Sequence, residues 1–128
     1  MSETYSQRFR MHTMPKAQCH VHIFMCDDGI QVDLISYSTL VCRARLIGSK
    51  LTLECTGVYT RTTSRHINRF TTEFFGKNLY YTCKGIADSG DAMVSTCATD
   101  ISRFKVTVSD YINNTFPDWN AVKYNWRY

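Results

Sequence analysis

The stretch from Cys19 to Cys55 constrains this chain more than any other part. Its apolar residues recur at every second position, and turn residues interrupt them at short intervals. Such alternation puts successive side chains on opposite faces of an extended strand. In "QCHVHIFMC", Cys19, Val21, Ile23 and Met25 point one way and His20, His22 and Phe24 the other. The turn signal "DDG" follows, whose residue types tolerate positive φ. "IQVDLISYS" then sets Ile30, Val32, Leu34 and Ser36 against Gln31, Asp33, Ile35 and Tyr37. This is the pattern of a β-hairpin. A second hairpin repeats it with "LVCRARLI", the turn "GSK" and "LTLECTGVY", in which Leu51, Leu53 and Cys55 alternate with Thr52, Glu54 and Thr56.

After the second hairpin the period lengthens. Over "TTSRHINRF" and the residues beyond it, Ile67, Phe70 and Phe74 share one helical face, while Arg61, Arg65, Arg69 and Thr72 group opposite. Thr62 or Thr63 can cap the first turn through its hydroxyl, and Gly76 stands where a helix ends. A cap at Thr63 would leave Arg61 outside the helix and shorten the basic stripe to two arginines.

The flanking regions read less sharply. Residues 1–16 show no sustained period and are expected to form a flexible N-terminal arm ending at Pro15. "NLYYTCK" has strand character, "GIADSGD" is turn-rich, and "AMVSTCA" fits a short strand or a helical turn equally well. In "DISRFKVTVSDYINNTFPDW", Asp100 can cap a helix that places Ile101, Phe104, Val108, Tyr111, Ile112 and Phe116 on one face, with Pro117 beyond its end. The competing reading makes "RFKVTV" a strand, and the helix is preferred. The terminus "WNAVKYNWRY" is aromatic and basic, either a last strand or an exposed stacking surface.

The expected fold class is therefore α+β: an antiparallel sheet of two sequential hairpins covered by a helix at about 62–75, with a second C-terminal helix and room for extra strands. Residues 17–128 form one domain, with a sheet and helix core over 17–76 and an extension over 77–128. A chain of 128 residues suffices to bury one core without disulfide or metal support.

Several function classes are disfavoured. No apolar run approaches the roughly 20 residues of a membrane span, and "MSETYSQRFRMHTMPK" lacks the apolar stretch of a secretory signal, so a cytoplasmic protein is expected. In that compartment Cys19, Cys26, Cys42, Cys55, Cys83 and Cys97 are expected as free, mostly buried thiols. No two are spaced as CxxC, which leaves a zinc finger or ribbon unsupported and no cofactor implied. Neither a phosphate-binding P-loop nor a G-x-S-x-G nucleophile elbow occurs. Asp27 with Asp28, and Asp88 with Asp91, sit in turn contexts that account for both carboxylate pairs.

Two constellations remain. His20 and His22 project from one strand face as an HxH metal pair would, with His66, Cys26 or Asp28 as third ligand, although two ordinary polar neighbours on a sheet face explain them as well. His66 is a candidate base only if a nucleophile lies beside it. The formal charge of +4 is modest, but Arg8/Arg10, Arg43/Arg45 and Arg61/Arg65/Arg69 form local groups that can converge. With Trp119, Tyr124, Trp126 and Tyr128 they supply the side chains used for phosphate contact, base stacking and protein interfaces. The candidate binding surface is Arg43, Arg45, Arg61, Arg65, Arg69 and Trp126.

Taken as a pair, "LISYSTLVCRARLIG" and "GVYTRTTSRHINRF" resemble a family of small uncharacterised phage and prophage proteins, a domain of unknown function with the pattern SYxTxVAxI followed by YSxTTSRHIxxF. Ser36, Tyr37, Thr39 and Val41, then Tyr59, Thr62, Thr63, Ser64, Arg65, His66, Ile67 and Phe70, match that pattern across roughly residues 34–70. Cys42 departs from it where a small residue such as alanine is expected. The resemblance implies origin in a phage or mobile element and a small sheet followed by a helix, with no catalytic residue to carry over. Small accessory proteins of that origin often bind and block a host protein or ribonucleoprotein, CRISPR–Cas effectors included. The expected function is thus a non-enzymatic inhibitor, in its sharpest form an anti-CRISPR protein. The alternatives are a DNA- or RNA-binding regulatory protein and a metal-dependent enzyme using His20 and His22.

Overall fold

The computed structural model describes residues 3–56 and 60–115. Its strands are β1 (Glu3–Arg10), β2 (Cys19–Cys26), β3 (Gly29–Ser36), β4 (Thr39–Ile47), β5 (Lys50–Cys55) and β6 (Met93–Ser95). They form one antiparallel sheet in chain order, β1-β2-β3-β4-β5-β6. Helices α1 (Arg61–Phe75) and α2 (Tyr80–Ser89) lie between β5 and β6 in the chain, and α3 (Ala98–Asn113) follows β6. The α+β class, both hairpins and the covering helix agree with the sequence reading.

The period-two pattern sets the register. Val21 pairs with Leu34, Ile23 with Val32, Val32 with Ala44, and Ala44 with Leu53. All six of these side chains are 0% exposed, so a one-residue slip would carry the buried row into the opposite face. The alternation breaks once, where Leu34 pairs with Cys42 but Ile35 pairs with Leu40. Val41 is the extra residue of this bulge and is buried beside Cys42. Gly29 is needed for close approach rather than for positive φ, since a Cβ there would lie 2.1 Å from the Leu46 carbonyl oxygen.

Helix α1 is capped by Thr60, whose Oγ1 accepts the Thr63 backbone N–H. The cap therefore precedes both threonines expected for it, and Arg61 becomes the first helical residue. Ile67, Phe70 and Phe74 are completely buried, and Gly76 ends the helix in the left-handed conformation at φ 75°.

Three flanking expectations need correction. The N-terminal residues are not a loose arm: β1 pairs along β2 from Glu3 to Arg10, and Met11 is wholly buried. An edge strand with solvent on one side carries few apolar residues, so its period is faint in "ETYSQRFR". "NLYYTCK" is not a strand but leads into α2, where tertiary packing of Cys83 and Ile86, three residues apart on one face, overrides the β propensity of Tyr80, Tyr81 and Thr82. The preferred helix after residue 97 is α3, but its N-cap is Cys97, and Asp100 sits in its first turn. Phe116, Trp119, Tyr124, Trp126 and Tyr128 lie outside the described residues.

Candidate functional site

The described helices pack on one face of the sheet, and among the described residues no helix covers the other. Strand alternation fills that second face from the residues that the core excludes. One row across it runs Arg8, His22, Asp33, Arg43, Glu54, and the next begins Arg10, His20, Ile35, Leu40. A third row holds Ser6, Phe24, Gln31, Arg45, Thr52 and Val94. Arg8 and Arg10 are exposed at the β1 edge.

The interior of this face is tied together by charge. Arg43 grips Asp33 with two parallel bonds, Nε to Oδ1 at 2.9 Å and Nη2 to Oδ2 at 3.1 Å. That carboxylate raises the Arg43 pKa. Arg45 donates to Gln31 at 3.0 Å and reaches Glu54 at 3.5 Å. The rings of His22 and Phe24 stack with centroids 4.2 Å apart. His20 has a lowered pKa, first from burial and then from the charges of Arg10 and Arg8, and its buried Nδ1 has no hydrogen-bond partner among the described residues.

The expected arginine cluster does not assemble. Arg43 and Arg45 alternate with Cys42, Ala44 and Leu46, which face the helices, so they lie on the open side of the sheet. Arg61, Arg65 and Arg69 belong to α1, which packs on the other side. Arg61 and Arg65 are exposed, whereas Arg69 is half-buried and its charge acts on Glu73. Arg8, Arg10 and Phe24 are the residues the sequence reading left out of the surface. Their signal was the strand register, which places them beside His20, His22 and Gln31.

The three histidines are also separated. His20 and His22 share the open face as expected, but His66 is buried under α1 at 1% exposure and is not their third ligand. Its Nδ1 lies 2.8 Å from Ser36 Oγ, and Ser36 Oγ lies 3.3 Å from Thr63 Oγ1. Thr60 Oγ1 completes the chain by donating to Thr63 Oγ1 at 3.1 Å. The two quoted motifs therefore meet in space as a buried polar seam joining β3 to the start of α1. Ser36 is 2% exposed, so the serine and histidine hold two elements together rather than face a substrate. Above this seam Tyr37 is 58% exposed and adopts φ 58°, a conformation disfavoured for a bulky side chain.

A second polar site escaped the sequence reading. Glu73 on α1 is 1% exposed and accepts hydrogen bonds from Tyr111 Oη at 2.5 Å, from the Thr13 backbone N–H at 3.2 Å and from the Thr13 hydroxyl. Tyr111 in turn accepts the His12 backbone N–H at 2.7 Å. Burial raises the Glu73 pKa, and the bonds from Thr13 and Tyr111 oppose the rise. A lone glutamate in an amphipathic helix carries no sequence mark that distinguishes it from a surface residue.

These features define an α+β protein whose described residues build a six-stranded antiparallel meander, roofed by helices on one face and lined by arginine, histidine and aromatic side chains on the other. The chain belongs to a family of unknown function, DUF8033, which it matches over residues 5–88. That span contains both quoted motifs and also β1, β2 and nearly all of α2, so it is wider than residues 34–70. It excludes β6 and α3, although Tyr111 of α3 holds Glu73 inside it. No curated protein and no solved structure matches the chain.

Proposed function

We propose that this protein is a non-enzymatic binding protein that engages a macromolecular target through the open face of its sheet. The observation that carries the reading is the cross-strand alignment of Arg8 with His22 and of Arg10 with His20, beside the stacked His22 and Phe24. Two exposed guanidinium groups next to an apolar ring provide charge for an acidic target and a surface for its planar groups. The burial of the Ser36 and His66 pair supports binding over catalysis. In its narrowest form the protein is the accessory of a phage or mobile element that blocks a host protein or ribonucleoprotein, as an anti-CRISPR protein does. The resemblance of the "SYSTLV" and "TTSRHINRF" segments to phage and prophage proteins supports that form.

The test is capture of host proteins by the full chain, side by side with an Arg8→Glu, Arg10→Glu variant. Both sites are exposed, so the variant keeps the fold. A defined partner bound by the native chain and lost by the variant is the expected result; equal capture by both, or no defined partner, overturns the reading.

A second reading rests on the stack of His22 and Phe24 flanked by arginines, which also suits unpaired bases and phosphates. Affinity for single-stranded DNA or RNA that falls steeply with added salt would favour it, because phosphate contacts release counterions.

A further inference from the structure

Three thiols meet beneath the helices in an arrangement that core packing alone does not require. Cys42 of β4 and Cys55 of β5 are direct cross-strand partners, and their sulfurs lie 3.6 Å apart. Cys83 comes from α2, which packs on β5, and its sulfur lies 4.0 Å from that of Cys42. All three sulfurs fall within 4.8 Å of one another. They are 1%, 8% and 0% exposed in chain order. The structure assigns this triad as a binding site for a single thiophilic monovalent cation, Cu(I), held in trigonal coordination by Cys42, Cys55 and Cys83.

The geometry fits that ion. A planar three-coordinate centre with metal–sulfur bonds of about 2.3 Å places its sulfurs roughly 4.0 Å apart. Small shifts of Cys55 and Cys83 bring the observed triangle to that size. Tetrahedral zinc needs a fourth donor, and among the described residues the group that brings these sulfurs together contains no further Cys, His, Asp or Glu. Thiolate ligands in an apolar setting select soft ions and exclude magnesium or calcium, which keep oxygen ligands and water.

Binding of the cation displaces the thiol protons to solvent and forms three metal–sulfur bonds, with no change of oxidation state. Cys55 ends β5 and is the least buried of the three, while α2 contributes only Cys83 and Ile86 as buried residues. Displacement of this short helix gives an ion a path to the sulfurs.

The experiment uses the full chain, reduced and kept free of oxygen, titrated with Cu(I) against a competing chelator. One equivalent should bind, and X-ray absorption should show three sulfur neighbours at about 2.3 Å. Cys83→Ser should weaken binding by more than the roughly 10–100-fold that loss of an outer-shell partner costs. Cys97→Ser, which alters an exposed thiol outside the triad, should leave affinity unchanged. Two-sulfur coordination, binding insensitive to Cys83→Ser, or no binding at all overturns the assignment. The native protein's coordination number decides the matter even if the Cys83 variant loses its fold.

Discussion

Ser36 and His66 stand 30 residues apart in the sequence and 2.8 Å apart in the fold, closing the seam between β3 and α1. Burial lowers the His66 pKa, so the folded protein holds the neutral ring. The unfolded chain takes up a proton near pH 6.5 (roughly). The associated stability is therefore complete above that value and is lost as pH falls through the depressed folded pKa. His66→Gln should lower stability near neutral pH by about 1–3 kcal/mol, through the disturbed bond to Ser36. It should also flatten the decline of stability on acidification. Denaturant unfolding of both proteins across that range checks this, and an unchanged slope in the variant would show that His66 is not the titrating group.

Glu73 reverses the sign. Its folded pKa is raised, so its contribution is greatest below the unfolded carboxyl value and is lost as pH rises through the folded one. Glu73→Gln should remove that loss and give a flatter stability curve on the alkaline side. Glu73→Ala should instead cost about 3 kcal/mol or more, because Tyr111 and Thr13 lose their buried acceptor. Thermal melts at acid and mildly alkaline pH distinguish the two variants.

Tyr37 pays a backbone strain of about 1–2 kcal/mol for its left-handed conformation in the β3 to β4 turn. Tyr37→Gly should stabilise the fold by about 1 kcal/mol. A fall in the urea midpoint would instead mean that the ring's approach to His66, at 6.0 Å between centroids, outweighs the strain.

Gly29→Ala should destabilise by about 1–3 kcal/mol, since the added methyl meets the Leu46 carbonyl rather than a movable side chain. Gly85→Ala is the matched control, because a Cβ there meets nothing within 4 Å. In the middle of α2 it should gain up to about 1 kcal/mol. Equal effects at the two glycines would contradict the close contact at Gly29.

The legible parts of this protein are those where one face of an element is buried and the other is not. Val21, Ile23, Val32, Leu34, Leu51 and Leu53 mark their strands because water penalises every alternate position differently. Ile67, Phe70 and Phe74 do the same for α1. The strand β1 was hidden because its pairing is made by backbone atoms at an edge, with polar side chains above them. The helix α2 was hidden because Tyr80, Tyr81 and Thr82 favour extended backbone locally, while the packing of Cys83 and Ile86 decides the outcome. Site residues fared differently for a similar reason. His20 and His22 are neighbours along one strand and could be paired by spacing, whereas Cys42 and Cys83 are 41 residues apart and meet only when α2 settles on β5. The arginines of β4 and α1 have like chemistry in the sequence, but the thickness of the sheet separates them.

Because the strands are ordered in the sheet as in the chain, a growing polypeptide meets each new pairing partner immediately after the previous one. The first five strands can zip together in sequence, each closing only a short loop, and this keeps the entropic barrier low. The exception is β6, which must wait for α1 and α2 before it reaches β5. The topology thus lets the first five strands pair through local connections alone, whereas the bond from Tyr111 to Glu73 joins residues 38 apart and needs α3 in place.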